Sequence, residues 1–206
     1  MLEIRVIGMG PGHPDYITPA ARKAAAGCAV LAGAQRLLDA LSEGPARRFP
    51  WTTDLEGTIR QAVAETGGNP AGILVSGDPG VYSVLPIVRR IAGNIPVRIE
   101  PGISSVQYLC SRLGRSSLGI RVLSAHGRDL ADVLQEITPG GSAAAILTDP
   151  KSPPERIAAE LVRRGCHGIG TVGSRLSWPL EQIVTASLAE LAGMTFDGMS
   201  VMLIGD

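Results

Sequence analysis

The sequence predicts an α/β fold in which most of the strands run parallel. Short apolar runs such as Ile73–Ser76 alternate with longer segments of helical period such as Ser105–Arg112. The apolar runs are continuous, which is typical of strands that are covered on both faces. Loops rich in Gly and Pro follow several of these runs. Alternation, continuous apolar strands and strand-end loops together indicate a layered α/β architecture.

The individual elements follow from the same patterns. Thr18 before Pro19 is a favoured pairing of N-cap and first-turn residue, and predicts a helix over Ala20–Ala26. Ser152 and Glu155 have the spacing of a capping box and predict a helix that ends at Gly165. The predicted strands are Glu3–Gly8, Val30–Ala32, Ile73–Ser76, Val97–Glu100, Arg121–Ser124, Ala143–Leu147, Ile169–Val172 and Val201–Ile204, and the other predicted helices are Ser83–Ile91, Ser105–Arg112 and Leu130–Ile137.

Composition excludes several classes of protein. Of the 206 residues, 45% are hydrophobic and 18% are charged, so the chain can bury a core. Lysine and arginine together number 19, as do aspartate and glutamate, and this balance gives no general attraction to nucleic acid. Three widely spaced cysteines, Cys28, Cys110 and Cys166, indicate a reducing cytoplasm and buried thiols, with no zinc-binding spacing. No signal peptide and no membrane span are predicted, so we expect a cytoplasmic protein.

The loop after the first strand reads Gly8-Met9-Gly10-Pro11-Gly12. Glycine lets a ligand approach the backbone closely, but a dinucleotide site needs a helix that starts directly after the glycines. Here the predicted helix starts only near Thr18, too late for its N-terminus to hold a pyrophosphate. A nicotinamide-dependent oxidoreductase is therefore disfavoured, and a tight turn without a ligand stays open for this loop alone.

Two further loops follow apolar strands in the same half of the chain. Ser76–Tyr82 carries Asp78 between Gly77 and Pro79, and Glu100–Ser105 opens a helix. Loops at the carboxyl ends of parallel strands form the crevice in which α/β proteins bind ligands. Asp78 is interpreted either as a turn-forming residue or as an acceptor for ribose hydroxyls or an ammonium group. The hydroxyls of the third loop have a helix cap as their alternative role.

In this order and spacing, these loops resemble the signature loops of the tetrapyrrole (corrin/porphyrin) methylase family. The resemblance continues through Ala125–Arg128, Thr148–Pro153 and Arg175–Ile183, and ends at Leu203–Gly205. It implies two α/β domains with the cofactor, S-adenosylmethionine, in the cleft between them, and usually a homodimer. The polar stretch Leu113–Gly119 predicts the boundary, with domains over residues 1–115 and 116–206. No metal site is implied.

The family's cofactor contacts, carried over by position, fall mostly on the glycine-rich loops. The second-half positions depend on alignment choices of one residue around Arg175–Pro179. The implied cofactor-binding residues are Pro11, Ser76, Gly77, Asp78, Val81, Ser104, Ser105, Thr148, Leu176 and Ser200.

Among family branches, the His-Gly-Arg and Asp-Pro-Lys-Ser-Pro loops are most similar to those of methylases acting at C5 of a late corrin precursor. Such a substrate carries acetate and propionate carboxylates, and Arg128 is the first candidate to bind them, followed by Lys151. His126 is a candidate for taking a proton or binding a carboxylate, with a structural role in a Gly turn as the alternative.

Some relatives carry a second module for C15 methylation and decarboxylation. Because this chain stops at Gly205-Asp206, we expect a separate protein to do that step. The alternatives are methylation at another corrin position, methylation of rRNA or of a modified histidine, and a non-catalytic tetrapyrrole-binding protein. No nucleic-acid or membrane partner is expected.

Overall fold

The first half of the chain forms a sheet of five parallel strands. The computed structural model describes residues 1–42 and 44–205, and the chain divides into two compact units, Met1–Ser104 and Ser105–Asp206. In the first unit the strand order is β3-β2-β4-β1-β5, and every pairing is parallel, as predicted. Its elements are β1 (Ile4–Gly8), α1 (Pro19–Ala26), β2 (Val30–Gly33), α2 (Gln35–Asp39), β3 (Arg47–Pro50), α3 (Leu55–Ala64), β4 (Ala71–Val75), α4 (Leu85–Ala92) and β5 (Val97–Glu100).

Helices cover both faces of this first sheet. Ile4 and Val6 of β1 pack in a core with residues of α3 and α4. Ile7, which points the other way, packs in a second core with residues of α1 and α2. Successive side chains of a strand alternate between faces, so a doubly covered strand must be apolar at nearly every position. The continuous apolar runs of the sequence have this cause.

The second unit contains a mixed sheet, and the prediction of mainly parallel strands is wrong for it. The strand order is β6-β7-β10-β8-β9, and only β6 and β7 pair in parallel. Strands β8 and β9 are joined by a short loop, and such a connection permits only antiparallel neighbours. The elements are α5 (Ser105–Arg112), β6 (Arg121–Ser124), α6 (Leu130–Gln135), β7 (Ala144–Leu147), α7 (Pro154–Arg163), β8 (Ile169–Ser174), β9 (Gln182–Ser187), α8 (Leu188–Leu191) and β10 (Ser200–Ile204).

Of the two helix caps predicted from the sequence, the one at Thr18 is confirmed and the one at Ser152 is not. Thr18 caps α1, with its hydroxyl accepting the N–H of Ala21 at 3.1 Å. The capping box predicted at Ser152 is wrong, because α7 begins at Pro154 and its N-cap, Pro153, provides no side-chain hydrogen bond. A capping box does form at α8, between Ser187 and Glu190.

Helix α5 belongs to the second unit, whereas the predicted boundary followed residue 115. Glu181, on the loop before β9, connects α5 to the second unit through hydrogen bonds. Its carboxylate accepts a hydrogen bond from Arg112 at 2.9 Å and another from Tyr108. Burial raises the pKa of Glu181, but these bonds and the N–H of Ser177 lower it more, so the pKa lies below its ordinary value. The charged carboxylate thus ties α5 to the second unit.

Among the residues described, no helix combines the length and the apolar character needed to cross a lipid bilayer.

Candidate functional site

Three glycine-containing loops meet at the carboxyl ends of β4, β1 and β5. A Cβ added at Gly8 would lie 2.6 Å from the nitrogen of Gly102 and 2.8 Å from the oxygen of Gly77. A Cβ at Gly102 would overlap the same Gly77 oxygen. These glycines therefore allow backbone to pack on backbone, a requirement that exists before any ligand is considered.

The first and second loops are also joined directly. The N–H of Gly77 donates to the carbonyl of Gly10 at 2.8 Å, and the N–H of Gly10 donates back at 3.3 Å. Gly10 has a φ of 76° and Gly77 a φ of 68°, values that favour glycine. The two loops thus form one rigid platform.

Asp78 binds the second loop to the third. Its Oδ1 accepts the N–H of Gly80 at 2.7 Å, and its Oδ2 accepts the N–H of Gly102 at 2.9 Å. Because β1 lies between β4 and β5 in the sheet, this bridge passes over the end of β1. The turn-forming interpretation of Asp78 is therefore confirmed, and the carboxylate still has lone pairs for a ligand.

The other first-unit candidates surround this platform. Ser76 is exposed directly after β4, and its hydroxyl makes no hydrogen bond with the residues described. Pro11 is half-buried beside Gly10, and the N–H of Val81 donates to the carbonyl of Asp78 at 3.1 Å. Ser104 is buried as the last residue of the first unit, and Ser105 opens the second.

Three cofactor candidates follow α5 in the second unit, and two of them, Thr148 and Ser200, are in direct contact. The hydroxyl of Thr148, after β7, donates to the carbonyl of Ser200 at 2.7 Å. The hydroxyls of Ser200 and Ser174 lie 2.7 Å apart. Since β10 runs antiparallel to β7 and β8, its first residue, Ser200, reaches the ends of both strands.

The third candidate, Leu176, is buried in the loop that follows β8. Its neighbours Arg175 and Ser177 have φ values of 48° and 69°. The Arg175 guanidinium donates to Asp197 at 2.8 Å, and the N–H of Ser177 donates to Glu181 at 2.6 Å. These bonds hold a backbone conformation with positive φ that residues other than glycine rarely adopt.

Strained backbone marks the candidate loops of both units. In the described part of the chain, the only non-glycine residues with positive φ are Tyr82, Arg175 and Ser177. Tyr82 follows the candidate Val81, and the other two flank Leu176. Backbone strain of this kind clusters at binding sites. No sequence pattern indicated this strain, because Tyr and Arg have no preference for a positive φ.

Asp149 was quoted in the family resemblance, but sequence reasoning did not select it as a site residue. It is only 8% exposed. Its carboxylate accepts the N–H groups of Gly127 at 3.2 Å, Lys151 at 2.9 Å and Ser152 at 2.7 Å. Burial raises the pKa of Asp149, but these three hydrogen bonds lower it more, so the pKa lies below its ordinary value. The Asp-Pro dipeptide, shared with Asp78, was the available signal.

The bonds of Asp149 connect the two loops that carry the predicted substrate-binding residues. His126 and Arg128 flank Gly127, and both side chains are exposed. The N–H of His126 donates to the hydroxyl of Ser124 at 3.2 Å. Arg128 lies 4.0 Å from Glu136, too far for a strong ion pair. Both residues are therefore accessible, and their chemical roles stay predictions.

The described residues contain no cluster of His, Cys, Asp and Glu that would hold a metal ion. The three cysteines are buried and unbridged. Burial raises the pKa of the Cys28 thiol to about 11, against the opposing effect of Arg5. This thiol is thus protonated and unreactive at neutral pH.

Comparison with known proteins decides the family. The model for the tetrapyrrole (corrin/porphyrin) methylases matches residues 3–192. The chain belongs to this family. The cobalt-precorrin-7 C(5)-methyltransferase of Salmonella typhimurium is 34% identical over 181 residues, which cover 87% of this chain and 88% of that relative.

Solved structures confirm the methylase fold. The precorrin-6Y methylase of Archaeoglobus fulgidus matches with a TM-score of 0.72 and 22% identity, over 98% of this chain and 97% of that one. Uroporphyrin-III C-methyltransferase from Thermus thermophilus, solved with S-adenosyl homocysteine, matches with a TM-score of 0.70 and 22% identity, over 98% and 92% of the two chains.

Proposed function

We propose that this methylase transfers the methyl group of S-adenosylmethionine to C5 of a late corrin intermediate in cobalamin biosynthesis. The substrate is cobalt-precorrin-7 or its metal-free counterpart of the precorrin-6Y type. The observation that carries this proposal is the 34% identity to a cobalt-precorrin-7 C(5)-methyltransferase over 88% of that relative's length. The substrate named for the relative is here a proposal for this chain.

The residues at both sets of loops fit the cofactor. S-adenosylmethionine presents an amino group, a carboxylate, ribose hydroxyls and an adenine ring. The exposed hydroxyl of Ser76 and the remaining lone pairs of Asp78 are suited to bind amino and hydroxyl groups. Backbone groups of Pro11, Gly77 and Val81 are the other first-unit candidates.

In the proposed site, the second unit contributes Thr148, Leu176 and Ser200. The hydroxyl of Thr148 keeps acceptor lone pairs while it donates to Ser200. Leu176 offers an apolar side chain, suited to an adenine ring, on a loop fixed by two charged contacts. Ser104 and Ser105 complete the set.

The bound cofactor would supply an activated methyl group, so the protein has little acid–base chemistry to perform. Its residues orient the ring carbon and exclude water. Arg128 binds a substrate carboxylate, and His126 takes up a proton or binds a second carboxylate.

A product analysis tests the reaction. The purified protein is incubated with S-adenosylmethionine labelled in its methyl group and with a panel of late corrin intermediates, and the new methyl is located by NMR. We expect one methyl at C5 and no loss of carbon dioxide, because the relative matched over 88% of its own length is named for the C5 transfer alone. A methyl at another ring position, or a second methyl with decarboxylation, would contradict the proposal.

Cofactor binding is tested separately by calorimetry. S-adenosylhomocysteine should bind in the presence of a metal chelator, and no binding would exclude the methyltransferase in favour of a non-catalytic tetrapyrrole-binding protein. The proposed homodimer is checked by light scattering of the same sample.

A further inference from the structure

A basic groove runs along the second unit between the start of α6 and one face of α7. Its volume is about 520 Å³, and its lining includes Arg128, Lys151, Arg156 and Arg163. Asp129 and Glu160 are the acidic residues of the lining. The whole chain has balanced charge, so an excess of cations in one groove is a local feature.

The charges of this groove are not equivalent. Arg163 is paired with Glu160 at 2.6 Å, and Glu160 also binds Arg164 at 2.8 Å. Asp129 caps α6 by accepting the N–H of Ala131 at 2.7 Å. The carboxylates of both acidic residues in the groove thus already bind other groups of the protein.

Three cations have no close acidic partner among the residues described. Lys151 and Arg156 make no ion pair there, and Arg128 is 4.0 Å from Glu136, which binds Arg121 at 2.5 Å. The guanidinium of Arg156 donates to the main-chain carbonyl of Lys151, so this guanidinium lies beside the loop that carries Lys151. Like charges held together without partners repel each other, and a bound anion relieves that repulsion.

The loops that carry Arg128 and Lys151 are both hydrogen-bonded to the carboxylate of Asp149. Asp149 accepts the N–H groups of Gly127 and Lys151, so Arg128 and Lys151 project from two loops with one common anchor. Lys151 lies three residues after Thr148, the proposed cofactor residue. An anion in the groove therefore lies close to the loop that we assign to the cofactor.

We infer that this groove binds carboxylate arms of the tetrapyrrole substrate through Arg128, Lys151 and Arg156. Guanidinium groups bind carboxylates bidentately, and an ammonium adds a point charge that adapts to the position of a flexible arm. The acetate and propionate arms of a corrin precursor are ligands of this class. The inference rests on the proposed function and adds Arg156 to Arg128 and Lys151 as a residue that determines substrate specificity.

The variant used in the test loses two positive charges and keeps Asp149, which anchors the loops. In the double variant Lys151→Gln/Arg156→Gln, we expect the KM for the tetrapyrrole to rise about tenfold for each cation removed, because each charge-assisted contact contributes about that factor. The kcat should change less than about twofold, since such contacts bind ground state and transition state alike. Affinity for S-adenosylhomocysteine, measured by calorimetry, should not change and also reports that the variant is folded.

Two controls separate charge from structure. Arg89→Gln removes an exposed arginine of α4 that has no ion pair among the described residues, and its KM should equal that of wild type. Arg156→Lys keeps the charge but not the bidentate geometry, so its KM should lie between those of wild type and Arg156→Gln. If Arg156→Gln itself leaves the KM and its salt dependence as in wild type, while folding and cofactor affinity are intact, the assignment of Arg156 to substrate binding is overturned.

Chemical modification of the substrate tests whether its carboxylates are the anions that bind in the groove. Esterification of the substrate carboxylates should raise the KM of wild type by a larger factor than the KM of the double variant, in which Arg128 is the only one of the three assigned cations that remains. The KM of wild type should also rise with salt concentration more steeply than that of the double variant. Equal KM values and equal salt dependence in the two proteins would refute the groove as a substrate site.

Failure of the proposed reaction remains distinguishable from failure of this inference. If wild type methylates no corrin at C5, the reaction is wrong, and equilibrium binding of the same corrin to wild type and double variant, followed by absorbance, still tests the groove. Weaker binding to the double variant supports the groove, and equal binding refutes it.

Discussion

Asp78 and Asp149 occupy similar positions in the two units but organise different surroundings. Each follows an inner strand, precedes a proline, and binds the N–H of a glycine in a loop after another strand. Asp78 reaches from β4 to β5 across β1, whereas Asp149 reaches from β7 to the adjacent β6. Around Asp78 the neighbours are close-packed glycines, and around Asp149 they are charged side chains.

The order of the strands explains the difference. A bridge over an intervening strand presses three backbones together, so Gly8 and Gly102 have no room for a side chain. A bridge between adjacent strands leaves space, and a Cβ at Gly127 would meet no atom within 4 Å. The loops of the first unit therefore present close-packed backbone, and those around Asp149 present charged side chains.

The largest effect expected from this comparison is that of Gly102→Ala. The added Cβ would overlap the backbone oxygen of Gly77, and backbone cannot move aside as a flexible side chain can. We expect a loss of about 3 kcal/mol in the free energy of unfolding, measured by urea denaturation. Gly127→Ala, with open space but a φ of 68°, should lose about 1 kcal/mol.

Gly198→Ala, which has open space and no positive φ, is the neutral control. Equal stability of the Gly102 and Gly198 variants would show that the first unit has no close-packed glycine cluster.

The second largest effect is that of Asp149→Ala. Three backbone N–H groups lose a charged acceptor, and we expect a loss of about 2 to 3 kcal/mol at pH 7. Because the pKa of Asp149 is lowered in the folded state, its contribution is complete above the ordinary Asp value near about 4 and is lost as the pH falls through the lower folded value. The difference from wild type, measured by denaturation at several pH values, should therefore shrink in acid. A difference that does not change with pH would contradict a charged acceptor.

Asp78→Ala should have a smaller effect on stability, because Asp78 is less buried and binds two N–H groups. We expect a loss of about 1 to 2 kcal/mol, measured by thermal or urea denaturation. Affinity for S-adenosylhomocysteine should fall together with stability, since the carboxylate positions the platform that we assign to the cofactor. Lower affinity with unchanged stability would instead show that Asp78 acts only on the ligand.

Arg128→Ala should have the smallest effect on stability, within about 0.5 kcal/mol, because its side chain is exposed and its ion pair is long. Cofactor affinity should be unchanged, and the KM for the tetrapyrrole should rise several-fold in steady-state assays. Unchanged turnover at low substrate concentration would remove Arg128 from the site.

Much of the fold was predictable, and the failures have physical causes. Strands covered on both faces, such as β4, leave a continuous apolar signal. Strand β9 at the edge of the second sheet is mostly half-exposed, and β3 carries two arginines and a proline, so neither was predicted. Of the candidate site, the family resemblance selected the loops, but not the anchor Asp149 or the strained Tyr82 and Arg175.

The sequence by itself determined the α/β class, the parallel first sheet, the cap at Thr18 and the glycine-rich loops after the strands. These features depend on local propensity, on periodicity and on short motifs, which are written in consecutive residues. Only the tertiary structure decided the strand order, and with it why Gly8 has no room for a side chain and why Asp78 is a bridge. It also decided that Lys151 and Arg156 make no ion pair with any residue that the structure describes, because pairing between charges depends on which helices and loops pack together.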